Sequence, residues 1–268
     1  MVIRVVVLRH GESQGNKERR FTGWTDVDLT EIGVSQAQEA GRTLKEAGFT
    51  FDIAYTSLLR RAVKTAWPAL NEMGFYCVPI VKTWRLNERH LGTLEGTNMS
   101  DYTEESLGPV MKLNDTPLPK LEEDDVRHPR NDPRYRHLRE DELPNGESLN
   151  DTLRRILPCW EQTIIPTVRS GQRVLIVTHG EIIRTLTMHL NHTDDVDNPI
   201  IQPVPTATAV IYELDNQMNL VRQEYLGRPI VHLKTATENP SWISGNTWIR
   251  KRDPVSGTLF PADSEKPE

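Results

Sequence analysis

Two short stretches of the chain are almost wholly apolar and stop in the same way. Ile3-Arg4-Val5-Val6-Val7-Leu8 is a β-branched run, broken only by Arg4, that halts at Arg9-His10-Gly11, and Val174-Leu175-Ile176-Val177 halts at Thr178-His179-Gly180. Unbroken apolar runs of this length read as strands buried on both faces, as in a parallel sheet. Residues 51–55 and 78–81 read as two shorter strands, and the alternating stretch 208–214 as the last one. Helical patterns lie between them. One starts at Thr30, a good N-cap, continues through the helix formers 36–44 and stops at Gly48. The next covers 58–73, with Thr56-Ser57 in capping position and Gly74 as its stop. The longest runs from Glu147 to about Val168, with Leu149, Leu153, Ile156, Leu157 and Trp160 on one face and a kink expected at Pro158. A further helix covers 182–190. Strands alternating with helices predict an α/β fold of three layers, a mostly parallel central sheet flanked by helices.

The remaining stretches are polar. Residues 14–28 and 83–96 show no period and read as loops. Residues 100–144 form an insertion rich in charge and proline, including Glu122-Glu123-Asp124-Asp125, and are expected to be a solvated, mobile lid. The organisation expected is a catalytic domain over 1–227 and a tail over 228–268. Trp242 and Trp248 suggest that part of this tail packs back, while its end is disordered.

Composition narrows the function classes. The chain has 268 residues, 37% hydrophobic and 26% charged, which suits a folded domain. A net charge of −6 disfavours a general nucleic-acid or anionic-membrane binder. No run approaches the roughly 18 apolar residues of a membrane span. The strand at the N-terminus leaves no room for a signal peptide, so a cytoplasmic protein is expected. Cys77 and Cys159 have no metal-ligand spacing and read as free, buried thiols.

The candidate chemistry sits where the two buried runs stop. In open α/β sheets, ligands bind at the carboxyl ends of strands. If the two strands are neighbours, His10 and His179 face each other there. Arg9 offers a planar fork suited to phosphate oxygens, Arg61 at the start of a helix can reach the same edge, and helix N-termini favour an anion. A neutral histidine is a nucleophile, and Glu88 in the polar connection could supply a proton. Metal binding is disfavoured, because two arginines oppose a cation and no third ligand is evident.

These residues resemble the histidine phosphatase superfamily and, within it, the cofactor-dependent phosphoglycerate mutases. The matching segments include Leu8-Arg9-His10-Gly11-Glu12-Ser13, Asn16, Arg20-Phe21-Thr22-Gly23-Trp24, Arg61-Ala62, Trp84-Arg85-Leu86-Asn87-Glu88-Arg89-His90, Glu147-Ser148-Leu149 and His179-Gly180. The resemblance spans about residues 3–227 and implies a phosphoglycerate mutase-like fold. It implies that His10 accepts the phosphoryl group, that Arg9, Arg61 and His179 bind its oxygens with help from Asn16 and the Gly180 backbone, and that Glu88 is the general acid/base. Ser13, Thr22 and Gly23 would line the substrate side. No metal is implied. A small phosphorylated substrate is, with 2,3-bisphosphoglycerate as phosphoryl donor. Members of this family are commonly dimers or tetramers, so a homo-oligomer is compatible with the resemblance.

The departures from the mutases cluster on the substrate side. This chain has Leu91 where they carry Tyr, Met99 where they carry Lys, Glu181 where they carry Asn, Gly15 where they carry Trp, and Met111-Lys112-Leu113-Asn114-Asp115 where they carry paired arginines. Lys112, Lys120, Arg127, Arg130, Arg134, Arg136 and Arg139 are the cations that could fold in as replacements. Whole-chain resemblance favours interconversion of 2- and 3-phosphoglycerate through a phosphohistidine. The missing cations favour a phosphatase on the same core. A non-catalytic phosphate-binding member is opposed by the intact set Arg9, His10, Arg61, Glu88 and His179.

Overall fold

A computed structural model describes residues 3–103, 118–193 and 203–226. The apolar runs become β1 (Ile3–Arg9) and β4 (Val174–Thr178), and the shorter ones β2 (Ile53–Thr56) and β3 (Ile80–Lys82). These four are mutually parallel in the order β3-β2-β4-β1, and the register of β1 with β4 places Arg9 opposite Thr178. Two antiparallel strands complete the sheet beyond β1, β5 (Ala209–Leu214) and β6 (Leu220–Leu226). The last of these is additional to the sequence expectation. Its sequence LVRQEYL carries the polar residues of an edge strand rather than an apolar run.

Both faces of the sheet are covered, which is why β1 and β4 are apolar at consecutive positions. Val6, Leu8, Ala54, Leu175, Val177 and Ile211 pack against α2 (Glu31–Glu46) and α3 (Arg60–Met73). Those two helices approach so closely that a Cβ on Gly41 would lie 2.3 Å from the Ala69 carbonyl oxygen. Val5, Val7, Tyr55, Val174, Ile176, Val210 and Tyr212 pack against the opposite layer. That layer holds α4 (Leu149–Cys159), a π-helical stretch over Trp160–Ile164, α5 (Ile165–Arg169) and α6 (Gly180–Leu190). The expected three-layer α/β architecture is therefore present.

Several local expectations are corrected. A short helix, α1 (Gln14–Lys17), lies in the stretch read as loop, capped by Ser13, whose Oγ accepts from Asn16 N. Thr56 and Ser57 do not cap α3: its N-cap is Leu59, without a side-chain cap bond, and the Arg60 N–H donates instead to Asp26 Oδ1 at 2.7 Å. The helix expected over 147–168 is three pieces. Pro158 lies inside α4, just ahead of the π-helical stretch that absorbs the irregularity. Its buried stripe is Leu149, Thr152, Arg155, Ile156 and Cys159, whereas Leu153 and Leu157 are half-buried. Of the two free cysteines, Cys77 is exposed and only Cys159 is buried.

The described part of the charged insertion, 118–144, is not a bare solvated loop. Leu118, Leu121, His128 and Tyr135 are buried, and short 3₁₀ turns over 129–131, 133–135 and 140–142 organise it. The Met111–Asp115 segment, Lys112 and the tail from 228 lie outside the described residues. No helix among the described residues is long and apolar enough to cross a membrane.

Candidate active site

The carboxyl ends of β1 and β4 bring His10 and His179 together, with ring centroids 5.1 Å apart and both residues buried. The backbone of His10 is pinned from both neighbours. Its N–H donates to Thr178 O at 2.9 Å, and its carbonyl accepts from Ala207 N at 3.0 Å. Its Nδ1 lies 2.7 Å from Gly11 O. A carbonyl can only accept, so Nδ1 carries the proton and the Nε2 lone pair is available. Burial, then Arg61 and Arg9, hold the His10 imidazole well below its usual range, so it is neutral. A neutral ring with a free Nε2 is the state required of a nucleophile.

Gly11 is obligatory for steric reasons. A Cβ there would lie 2.2 Å from Gly33 O, where the turn after β1 crosses the first turn of α2. The Gly11 N–H donates to Thr65 Oγ1 at 2.9 Å, and Thr65 Oγ1 donates to Arg61 O at 2.8 Å. One α3 side chain thus ties the nucleophile turn to the turn that carries Arg61.

Arg61 is buried and held by its fork: Nη1 donates to Thr25 O at 2.9 Å and Nη2 to Gly23 O at 2.7 Å. Arg9 Nη1 donates to Val204 O. The Nε of each arginine is buried without a hydrogen-bond partner, as is Nδ1 of His179. Burial lowers the pKa of both guanidiniums, and Glu88 is the largest opposing influence on each. Buried, charge-bearing donors left open in this way suit an anion with several oxygens. Gly180 opens α6 and passes close to Arg9, where a Cβ would meet Cζ at 3.4 Å, so the first-turn amides of α6 border the same space.

His179 Nε2 pairs with Ser57 Oγ at 2.8 Å, a partner not anticipated from the sequence. Burial, followed by Arg61, His10 and Arg9, holds His179 well below its usual pKa. Glu88 is half-buried, and its Oε1 accepts from Arg89 N at 2.9 Å. Burial and Glu181 push the Glu88 carboxyl up, against the pull of Arg61 and Arg9. A raised carboxyl pKa keeps a proton available for donation.

On the substrate side, Asn16 Oδ1 is engaged locally, accepting from Ser13 N and Oγ at 3.0 and 2.9 Å. Thr22 packs over Gly15, where a Cβ would meet its Cγ2 at 2.1 Å, so a larger side chain at that point requires Thr22 to shift. The Gly23 carbonyl serves Arg61. Leu91 is buried in an apolar cluster with Phe21, Leu94 and Leu118, against which Met99 and Tyr102 pack. Glu181 faces two cations, Arg184 at 3.4 Å and Arg89 at 4.0 Å.

Four of the candidate replacement cations are committed to carboxylates. Arg127 pairs with Asp125, Arg130 with Glu123 and Glu140, Arg134 with Asp132 and Asp26, and Arg139 with Asp141 and Glu142. Lys120 and Arg136 are exposed. Among the described residues no group of three or more His, Cys, Asp or Glu could hold a metal ion.

The model of the histidine phosphatase superfamily (branch 1) matches this chain over residues 5–118 and 104–224, and the chain belongs to that family. Solved structures share its fold. Bacillus stearothermophilus YhfR is 29% identical, with 81% of this chain and 93% of that one covered and a TM-score of 0.58. A mycobacterial glucosyl-3-phosphoglycerate phosphatase complexed with VO3 is 22% identical over 83% of this chain and 97% of that one, with a TM-score of 0.63, a likeness of fold.

Proposed function

We propose that this chain is a phosphatase of small phosphate monoesters that works through a phosphohistidine at His10. The observation that carries the reading over a phosphoglycerate mutase is the distribution of cations. Arg9 and Arg61 present open donors beside His10, which suffices for one phosphoryl group. The positions where the mutases carry Tyr and Lys are Leu91 and Met99, which share an apolar cluster. Four candidate replacements, Arg127, Arg130, Arg134 and Arg139, are tied to carboxylates. A mutase must hold a second phosphate and a carboxylate while its bisphosphate intermediate reorients, and each missing charge-assisted contact removes about 1.5–3 kcal/mol. That one structural neighbour is a glucosyl-3-phosphoglycerate phosphatase supports this choice.

The steps follow from the site. The phosphoryl dianion lies against Arg9, Arg61, His179 and the α6 amides, which stabilise charge spread over its equatorial oxygens. The His10 Nε2 lone pair forms the N–P bond as the P–O bond to the alcohol breaks, and Glu88 gives its proton to the departing oxygen. The Glu88 carboxylate then takes a proton from water while the water oxygen attacks phosphorus. That breaks the N–P bond, returns neutral His10 and releases inorganic phosphate. No metal and no 2,3-bisphosphoglycerate donor is needed, and a small phosphorylated metabolite is the partner.

The deciding assay incubates the enzyme with 3-phosphoglycerate and 2,3-bisphosphoglycerate, and in parallel with a panel of phosphate monoesters. Release of inorganic phosphate that His10→Ala abolishes, with no 2-phosphoglycerate formed, is the expected result. Formation of 2-phosphoglycerate at a rate exceeding phosphate release overturns the phosphatase reading.

A further inference from the structure

The proton donor of the proposed reaction sits on a connection with no regular strand or long helix to hold it. Residues 84–90 contain one 3₁₀ turn, Trp84–Leu86, followed by extended backbone at Asn87. Yet this segment is bound almost carbonyl by carbonyl by one buried side chain from another layer. Arg155, on the buried stripe of α4, donates through Nη1 to Arg85 O at 2.9 Å, Asn87 O at 3.0 Å and Trp84 O at 3.3 Å. Through Nη2 it donates to Glu88 O at 3.1 Å.

The same guanidinium is gripped by Glu147, with Nε to Oε1 at 2.6 Å and Nη2 to Oε2 at 2.8 Å. Glu147 then closes the far side of the segment: Oε2 accepts from His90 N at 2.7 Å, and its backbone carbonyl accepts from Arg89 Nε at 2.8 Å. The second donor to Glu88 O is the indole of Trp24, at 2.6 Å, and Arg155 stacks over that ring at 5.5 Å. Both side chains of the Arg155–Glu147 pair are 4% exposed.

A buried ion pair is poor evidence of stabilisation, because desolvation offsets much of its attraction. What this pair does supply is geometry. The planar, rigid fork of arginine reaches the carbonyls of Trp84, Arg85, Asn87 and Glu88 itself, while its carboxylate partner takes the amide of His90, two residues beyond. An ammonium on a lysine has three donors on a mobile stem and cannot reproduce that fan.

Resting on the phosphatase reading, we propose that Arg155 is the positioning residue for Glu88. It fixes the peptide from which the carboxyl reaches the leaving-group oxygen, and Glu147 orients Arg155 in that task. The consequence is selective for the leaving group. An alkoxide must be protonated as it departs, whereas p-nitrophenolate is stable without a proton. Loss of Glu88 alignment therefore slows alkyl phosphates and spares p-nitrophenyl phosphate.

The test compares glycerol 2-phosphate and p-nitrophenyl phosphate as substrates for the wild type, Arg155→Lys, Glu88→Gln and the double variant. The expected result is that Arg155→Lys lowers kcat on glycerol 2-phosphate by about ten-fold or more while kcat on p-nitrophenyl phosphate changes by less than about three-fold. Adding Arg155→Lys to Glu88→Gln then produces no further loss on glycerol 2-phosphate, because both act through one proton transfer. Equal losses on the two substrates, or multiplicative losses in the double variant, overturn the proposal. If Arg155→Lys does not yield folded protein, Trp24→Phe removes the other donor to Glu88 O, and the same split is required of it. A wild-type enzyme inert toward both esters refutes the phosphatase reading itself, which is a different outcome from an active enzyme with no split.

Discussion

Replacing Glu95 by Gln removes a buried carboxyl whose pKa is placed near neutrality. Glu95 is 2% exposed. Its Oε1 accepts from Trp24 N at 2.9 Å and Leu91 N at 3.1 Å, and Oε2 from Thr25 Oγ1 at 3.3 Å. Burial outweighs these bonds and pushes the carboxyl up to about 7 from 4.5. A folded-state value above the unfolded one means that the native protein binds more protons between those pH values. The contribution to stability is therefore complete below pH 4.5 and lost as pH rises to 7. The shift corresponds to about 3 kcal/mol. His10, His90 and His179 are held low and act in the opposite direction, but they are common to both proteins and cancel in the difference. Urea unfolding followed by tryptophan fluorescence, from pH 4.5 to 7.5, is the assay. The stability of Glu95→Gln minus that of wild type should grow by about 3 kcal/mol across this range. A difference flat to within about 1 kcal/mol would mean that Glu95 is ionised throughout, and the desolvation argument would be wrong.

Further outcomes follow from the same geometry. Wild-type protein quenched with acid and base after brief exposure to a turned-over ester should carry an acid-labile, base-stable phosphate detectable as a mass increase, and His10→Ala should not. Gly11→Ala forces a methyl group against Gly33 O and should cost about 2 kcal/mol or more in urea unfolding, since backbone on both sides must move; a loss below about 0.5 kcal/mol contradicts the close crossing. Ser57→Ala strips His179 Nε2 of its hydroxyl partner and should destabilise by about 1–3 kcal/mol, which thermal unfolding would reveal. Because the Glu88 carboxyl is raised by burial and Glu181, turnover of alkyl phosphates should fall as pH rises through its pKa. Glu181→Gln should move that fall to lower pH, and an unmoved profile would exclude the carboxylate's influence.

The sheet was legible wherever burial on both faces forced a run almost free of polar residues. β1 and β4 announced themselves in this way, and their abrupt ends at His-Gly located the two histidines. β6 was not legible because an edge strand needs only one covered face and keeps Arg222, Gln223 and Glu224. The residues that steady the site were hidden for a related reason. Arg155 occupies a position on the α4 stripe that an apolar-periodicity count passes over, because a charged side chain there reads as surface. Its pairing with Glu147 becomes visible only when the carbonyls of 84–88 are brought against it. Ser57 looked like a helix cap because hydroxyls before helices usually are, whereas the chain uses Asp26 from a distant loop for that purpose. The insertion over 118–144 looked solvated because its charges outnumber its apolar residues. Those charges largely satisfy one another, and a few side chains such as Leu118 and Tyr135 anchor it.

The strand order β3-β2-β4-β1 has a consequence for the birth of the protein on the ribosome. β1 and β2 are made early, yet neither pairs with the other: the slot between them belongs to β4, over a hundred residues further along the chain. At typical elongation rates this leaves two apolar strands without their shared partner for on the order of ten seconds. The nascent chain therefore carries uncovered apolar strand surface over that interval. A ribosome that stalls before β4 releases a polypeptide with neither a closed sheet nor a second histidine.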